Sequence, residues 1–475
     1  MKGSSLIKRL VSILAVVLFL LKMQALTGCA NIVPPEGGKR DTIPPRLIAA
    51  NPPDSSVNIR PRRITLTFDE FVELQDVPNN LIVTPTFENN PVIESKLKTL
   101  TIRIKDSLES NTTYVFNFGN AIRDVNEGNV LKNFTYTFST GHVMDTLTYR
   151  GRVLLAETGG VDTTLIVMLH RDLTDSAVSK KRPQYYTRLD HDGNFVLHNL
   201  PHGTFAIYAL GNAGMMRRYT TKTQLFAFSN DSIITGSTPP ITLYAYREEP
   251  PRIQGGAGVA APAGAGPRAP VTERRLRYTT DVTTNPQDIQ KDLLLTFQVP
   301  LRTFDSTKIS LSRDSSFTPV AFSTALDTSR TQLAISTKWK DDTHYHLILD
   351  KTFAQDTTGK QLLKTDTLNF ATRRLSEYGN LTMRIRNIDA AQNPVLQFVQ
   401  NNQVVYATPV KSGRFSTSLF LPGEYEIRIL YDRNGNGKWD PGHFFGQKRQ
   451  PEIVRPFSRR ITVKPNWGNE FDVSL

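Results

Sequence analysis

Apolar side chains recur at every second position along much of this chain, and a period of two is the mark of strands that bury one face. Ile64, Leu66 and Phe68 alternate with threonines, and Leu100, Ile102 and Ile104 repeat the pattern. Tyr114, Phe116 and Phe118 follow it, as do Phe134, Tyr136 and Phe138. Clusters of Pro, Gly, Asn and Asp divide these runs at short intervals, and the mature part shows no amphipathic helix of three turns. The expected fold class is therefore all-β, built of tandem antiparallel β-sandwiches. A single cysteine excludes disulfides within the chain, so each sandwich must stand on its apolar core. The 39% hydrophobic content of 475 residues is enough for several such cores, and a mean hydropathy of −0.31 excludes a membrane bundle.

Ordered anchors then recur at matched spacing. Tyr114 stands 46 residues after Phe68 and 24 before Phe138; Tyr345 stands 48 after Phe297 and 25 before Phe370. An aspartate, Asp124 or Asp356, lies ten or eleven residues past each tyrosine. This spacing points to duplication of one unit. Phe68-Asp69-Glu70, Asn111-Thr112-Thr113-Tyr114 and Phe138-Ser139-Thr140 resemble the bacterial Ig-like domain of S-layer proteins. The second copy retains Phe297, Thr343, Tyr345 and Phe370 to Thr372.

A different unit follows each of these. Asp192-Gly193-Asn194-Phe195 leads to Leu200-Pro201-His202-Gly203-Thr204-Phe205, and Gly413-Arg414-Phe415 leads to Leu421-Pro422-Gly423-Glu424-Tyr425. The Pro-Gly stretch reads as the corner of a hairpin. The pattern resembles the carboxypeptidase regulatory-like, or collagen-adhesin B-type, transthyretin-like sandwich, which implies an interaction and spacer fold without peptidase activity. Ig-like and regulatory-like sandwiches thus alternate.

The N-terminus carries an address. Lys2, Lys8 and Arg9 precede a 12-residue apolar run, Leu10 to Leu21, shorter than a membrane span, and Leu26-Thr27-Gly28-Cys29 follows. These residues resemble the bacterial lipobox, which implies cleavage before Cys29, diacylglycerol on its thiol and acylation of the new amine. Several acyl chains at about 0.8 kcal/mol per methylene make a durable anchor. The competing reading, a free thiol in an uncleaved membrane helix, has to contend with Lys22 interrupting the apolar stretch. Ala30 follows with no aspartate at once, and by resemblance to sorted lipoproteins this points to the outer membrane, at the cell surface or the periplasmic face.

The resulting division is a signal peptide (1–28), a Pro-rich tether (29–45), an Ig-like domain (46–142), a regulatory-like sandwich (143–247), a Pro/Gly/Ala linker (248–272), a second Ig-like domain (273–376) and a second regulatory-like sandwich (377–475). The linker run GGAGVAAPAGAG is too poor in burying side chains to offset ordering, so the two halves are expected to move relative to one another. Lipobox, tether, Ig-like unit and the late YDRNGNGKWDPG together resemble Ig-like-domain lipoproteins common in the Bacteroidota. That family is named for its fold, so the resemblance implies little about activity.

Candidate chemistry is sparse. Asp432, Asn434, Asn436, Lys438 (through its carbonyl) and Asp440, with Gly437 among them, match the first part of an EF-hand-type calcium loop. His443 stands where the bidentate acid belongs, so Ca²⁺ would bind weakly. The same residues suit an Asn/Gly hairpin tip that satisfies its own backbone. His344 and His346 share a strand face without a third ligand, and Asp69 and Glu70, as strand neighbours, point to opposite faces. Trp339, Trp439 and Trp467 suit core packing or sugar stacking. Asp175-Ser176-Ala177 and Asp231-Ser232-Ile233 resemble an O-glycosylation sequon of Bacteroidota.

The formal charge is +13; residues 1–28 hold four of the 57 Lys and Arg and none of the 44 Asp and Glu, which leaves +9 for the rest. Scattered basic pairs such as Arg62-Arg63 and Arg459-Arg460 suit a solvated surface, or attraction to anionic lipid or polysaccharide rather than to nucleic acid. With no Gly-x-Ser-x-Gly elbow, phosphate loop or zincin motif, the expected function is a non-enzymatic envelope lipoprotein. It would act as a protein-interaction scaffold, an accessory subunit of an outer-membrane assembly, secretion or uptake machine. The alternative is a surface adhesin or glycan-binding lipoprotein.

Overall fold

Threonine and β-branched residues on alternate positions fit a pleated, half-buried surface, and the runs that carry them are strands throughout. The computed structural model describes residues 11–19, 22, 40–211, 214, 216–250 and 275–475. Cys29 with most of the signal, the tether to residue 39, Asn212, Ala213, Met215 and residues 251–274, and with them nearly all of the linker, lie outside the described residues. Residues 11–19 are helical, and no described helix is long and apolar enough to cross a membrane. Elsewhere the described helices are single turns, such as Val77–Asn80 and Ala177–Lys180.

In the first sandwich one sheet runs Leu47–Asn51, Arg63–Phe68, Thr99–Arg103, Val92–Lys96, and the other runs Phe134–Ser139, Thr113–Gly119, Ile82–Thr84. Leu66, Phe68, Leu100, Ile102, Phe116, Phe118, Tyr136 and Phe138 meet between them, fully buried. Each such side chain contributes about 1.5–3 kcal/mol. The third sandwich repeats the order: Tyr278–Thr279, Leu293–Phe297, Gln332–Ser336, Ser323–Leu326 against Asp366–Ala371, His344–Leu349, Ile309–Arg313. The second and fourth share another order. Asn194–Leu200, Leu147–Leu155, Ile241–Ala245 matches Arg414–Phe420, Gly379–Arg386, Gly468–Ser474, and each faces a larger sheet.

Two details depart from the sequence reading. Leu147–Leu155 pairs in parallel with Ile241–Ala245, and Gly379–Arg386 with Gly468–Ser474. The first and last strands of each unit meet only after the chain has built the opposite sheet, so no hairpin constrains their direction. The Pro-Gly stretch is also no hairpin: Asn194–Leu200 and Thr204–Leu210 belong to different sheets, and Pro201 to Gly203 carries the chain between them. Glycine freedom is used at Gly193 (φ +80) and Gly413 (φ +68) and, at the Pro-Gly corner, in the fourth sandwich by Gly423 (φ +152) but not in the second by Gly203. A Cβ at Gly193 would stand 2.6 Å from the Val153 carbonyl oxygen, and one at Gly413 2.8 Å from that of Ile385.

The repeated tyrosines and threonines form one hydrogen-bonded corner in both Ig-like units. Tyr114 Oη accepts from Glu109 N–H at 2.8 Å, and Tyr345 Oη from Lys340 N–H at 3.0 Å. Thr140 Oγ1 accepts from Thr112 N–H and donates to the Glu109 carbonyl; Thr372 Oγ1 does the same with Thr343 and Lys340. Tyr114 stacks on Phe138 at 5.3 Å and Tyr345 on Phe370 at 5.8 Å. Buried Asp124 accepts the N–H groups of Glu127, Gly128 and Asn129, and Asp356 those of Thr358 and Lys360. Burial alone would raise both carboxyls, but these donors prevail and hold them below the usual carboxylate range.

Candidate functional site

The chain leaves the strand Gly423–Tyr431 at Asp432, a residue with 1% exposure. Its Oδ1 accepts from Gly435 N–H at 2.7 Å and its Oδ2 from Gly437 N–H at 2.6 Å, with both glycines at positive φ. Asn434 Oδ1 accepts from Asn436 N–H, and Asn436 Oδ1 from Lys438 N–H. Asp440 Oδ2 receives the side-chain amides of Asn434 and Asn436 at 2.6 and 2.8 Å. The structure therefore brings Asp432, Asn434, Asn436 and Asp440 into one loop, where their oxygens meet the loop's own donors. No group of three His, Cys, Asp or Glu converges among the described residues.

Sequence reasoning missed Glu452. Its Oε1 accepts from Arg433 N–H and its Oε2 from Asp440 N–H, so one buried carboxylate ties both ends of the loop. Glu452 N–H donates to the Asp440 carbonyl, and Trp439 Nε1 donates to the Glu452 carbonyl. Nothing in the local spacing marks Glu452, because the loop reaches it only after a long excursion.

That excursion is an arm that crosses to the other half of the chain. Phe444 enters a cluster of Tyr208, Phe226 and Phe228 with ring separations of 5.7, 5.0 and 5.0 Å, and is fully buried. Phe445 stacks on Tyr219 at 5.8 Å. Glu248, 3% exposed at its side chain, accepts from Phe444 N–H and Tyr219 Oη and faces His443 Nδ1 at 3.0 Å. His443 thus turns away from the loop whose twelfth position it fills. Val454 N–H donates to the Ala156 carbonyl at 2.8 Å, Gln450 donates to the Phe228 carbonyl, and Lys448 meets Asp175.

The expected freedom between the halves is therefore overturned. The second and fourth sandwiches abut through aromatic surface, main-chain hydrogen bonds and a buried carboxylate. The first sandwich is fixed to the second through Thr86 N–H to Gln184 O, 2.9 Å, and Arg182 to Phe87 O, 2.8 Å. The third meets the fourth through Tyr378, whose hydroxyl donates to Asp288 and accepts from Ile289 N–H. The spatial order is first, second, fourth, third. The expected tether also ends early: Asn129 donates to the carbonyls of Asp41 and Ile43, and Pro45 is buried.

The remaining candidates separate. His346 bonds Asn369 at 2.6 Å and stacks on Phe317, while His344 is exposed. Asp69 and Glu70 lie beyond the strand Arg63–Phe68, and Asp69 accepts from Arg46 N–H. Trp339 is buried against Tyr345, Trp439 packs beside Val395, Leu430 and Val454, and Trp467 is 64% exposed. Ser176 is half-buried and Ser232 exposed.

Residues 41–140 match the bacterial Ig-like domain family, so the first sandwich is a bacterial Ig-like domain. No curated protein matches the chain. Among solved structures, the Bacillus anthracis TIE protein is 11% identical over 93% of this chain and 76% of its own, with TM-score 0.16. BcpA, the major pilin subunit of Bacillus cereus, is 8% identical over 69% of this chain and 98% of its own, TM-score 0.16. The S-layer protein SbsC is 10% identical over 91% of this chain and 54% of its own, TM-score 0.15. Likenesses at that level carry no argument about the present chain.

Proposed function

We propose that this chain is a non-enzymatic lipoprotein of the bacterial envelope, anchored at Cys29 in the outer membrane, whose four sandwiches form a stiff scaffold for other envelope proteins. The role is that of an accessory subunit in an assembly, secretion or uptake machine, in a Bacteroidota-type envelope. The observation that carries this reading is the seam. The two halves are joined by Phe444 and Glu248 into one body, which suits a spacer that must hold partners at fixed separation. Crosslinking of native membranes followed by affinity purification and mass spectrometry tests it. A stoichiometric envelope partner is expected, and recovery of the protein alone overturns the reading.

One observation favours an adhesin or glycan-binding role, namely the exposed Trp467. Trp439 is withdrawn from that role because its indole is spent on Glu452 and the core. Glycan-array binding lost in Trp467→Ala would support this second reading, and silence across arrays would sink it.

Calcium at Asp432 to Asp440 is a separable proposal. The oxygen donors suit a hard cation in kind, but the amides of Asn434 and Asn436 would have to turn their oxygens inward. Millimolar calcium over a Kd of about 0.1 mM would stabilise the chain by roughly 1.4 kcal/mol. If excess chelator leaves the melting of the whole chain unchanged, Asp432 is a turn residue alone.

A further inference from the structure

We propose that the strand Gln403–Pro409 is the surface through which two copies of this chain pair, edge to edge and antiparallel. This strand is the free edge of the larger sheet in the fourth sandwich, ordered Gln403–Pro409, Pro394–Gln400, Gly423–Tyr431, Ile453–Pro456. Its twin in the second sandwich, Tyr185–Arg188, holds the same place beside Ile166–His170 and Thr204–Leu210. The twin edge is covered: the segment from Leu81 to Phe87 of the first sandwich lies on it, with Thr86 N–H bonded to Gln184 O and Tyr186 Oη to Leu81 O. The position is thus already used once as an interface within this chain. In the fourth sandwich it is bare. Val404, Val405 and Tyr406 are 49%, 37% and 38% exposed, and the strand makes no hydrogen bond outside its pairing with Pro394–Gln400 among the described residues.

Charge identifies the occupant as a second copy. Without residues 1–28 the chain carries +9, so two copies repel one another on balance. Between Asp389 and Lys411, however, 21 consecutive residues include no charge, in a chain where 21% of residues are charged. Proteins usually blunt a long edge with charged side chains, and this one has only a bulge near Val405 and a terminal proline. Two such edges related by a two-fold axis present identical uncharged rows to each other, so antiparallel pairing completes both ladders without placing like charges face to face. The pairing is independent of the scaffold role, since a partner of another kind would be recovered whether or not copies pair.

Sedimentation of the whole chain, purified from membranes in detergent, tests the proposal in wild type, Val405→Lys and Val405→Glu. Both substitutions fall on an exposed side chain, and an unchanged melting temperature certifies the fold. The expected result is a wild-type dimer that weakens about tenfold or more in each variant and re-forms when the Lys and Glu variants are mixed. A wild-type monomer at every accessible concentration overturns the proposal, and so does a dimer that ignores both substitutions.

Discussion

The ring of Phe444 lies 5.0 Å from that of Phe226, at an interplanar angle of 66°, although 218 residues separate them in the chain. Phe444→Ala should cost about 3–5 kcal/mol if the arm stays seated in its cavity. If the arm leaves instead, the halves part and the radius of gyration measured by X-ray scattering rises. Gly442→Ala should act in the same direction, because its Cβ would stand 2.5 Å from Tyr246 Cζ. Phe317→Ala, at a position 53% exposed and away from the seam, is the control expected to leave the radius of gyration unchanged.

Thr140→Val and Thr372→Val should each destabilise by about 1–3 kcal/mol, since each removes a hydroxyl that both accepts an amide and donates to a carbonyl. Valine keeps the shape, so packing is not the variable. Denaturant melts of the two variants check this, and a large cost in one copy with none in the other would show that the corner is not a shared device.

His170 is fully buried, its ring edge-on to Tyr208, and neither ring nitrogen has a hydrogen-bond partner among the described residues. Burial pushes it down to about 4. An unfolded histidine titrates near 6.5, so between these values the unfolded chain holds a proton that the folded chain lacks. The contribution is complete above pH 6.5 and is lost as pH falls toward 4, at about 1.4 kcal/mol per unit, or about 3 kcal/mol in all. His170→Phe should flatten that slope, as read from melting between pH 7 and 4. Asp124 and Asp356 act in a lower window: their carboxyls are depressed, so their stabilisation is present above the ordinary carboxylate value and vanishes as pH drops through the folded one.

Cys29→Ser should leave the chain as uncleaved precursor or release it from the outer-membrane fraction, because processing and acylation both need the thiol. Fractionation and the size of the product on a gel check this. A mature, outer-membrane Ser variant would falsify the lipid anchor.

The sequence by itself determined the strand faces and the repeated corner. Leu66, Phe68, Leu100 and Ile102 are buried as their alternation requires, because a pleat sends every second side chain to the same side. Tyr114 with Thr140, and Tyr345 with Thr372, were visible as spaced anchors because each corner closes within one unit. The seam was not legible, although one trace of it was present. Ala206-Ile207-Tyr208-Ala209-Leu210 is apolar without alternation, the pattern of a strand covered on both faces, and Tyr208 and Leu210 are indeed buried beneath the arm's cluster. What covers that second face lies more than two hundred residues away, in a loop whose glycines and carboxylates read as an ion site or a hairpin tip. Local periodicity records how much of a strand is hidden but not by what. Only the tertiary structure brought Glu452 to the loop, His443 to Glu248 and Phe444 to Phe226, because these contacts depend on how whole sandwiches meet rather than on any spacing along the chain.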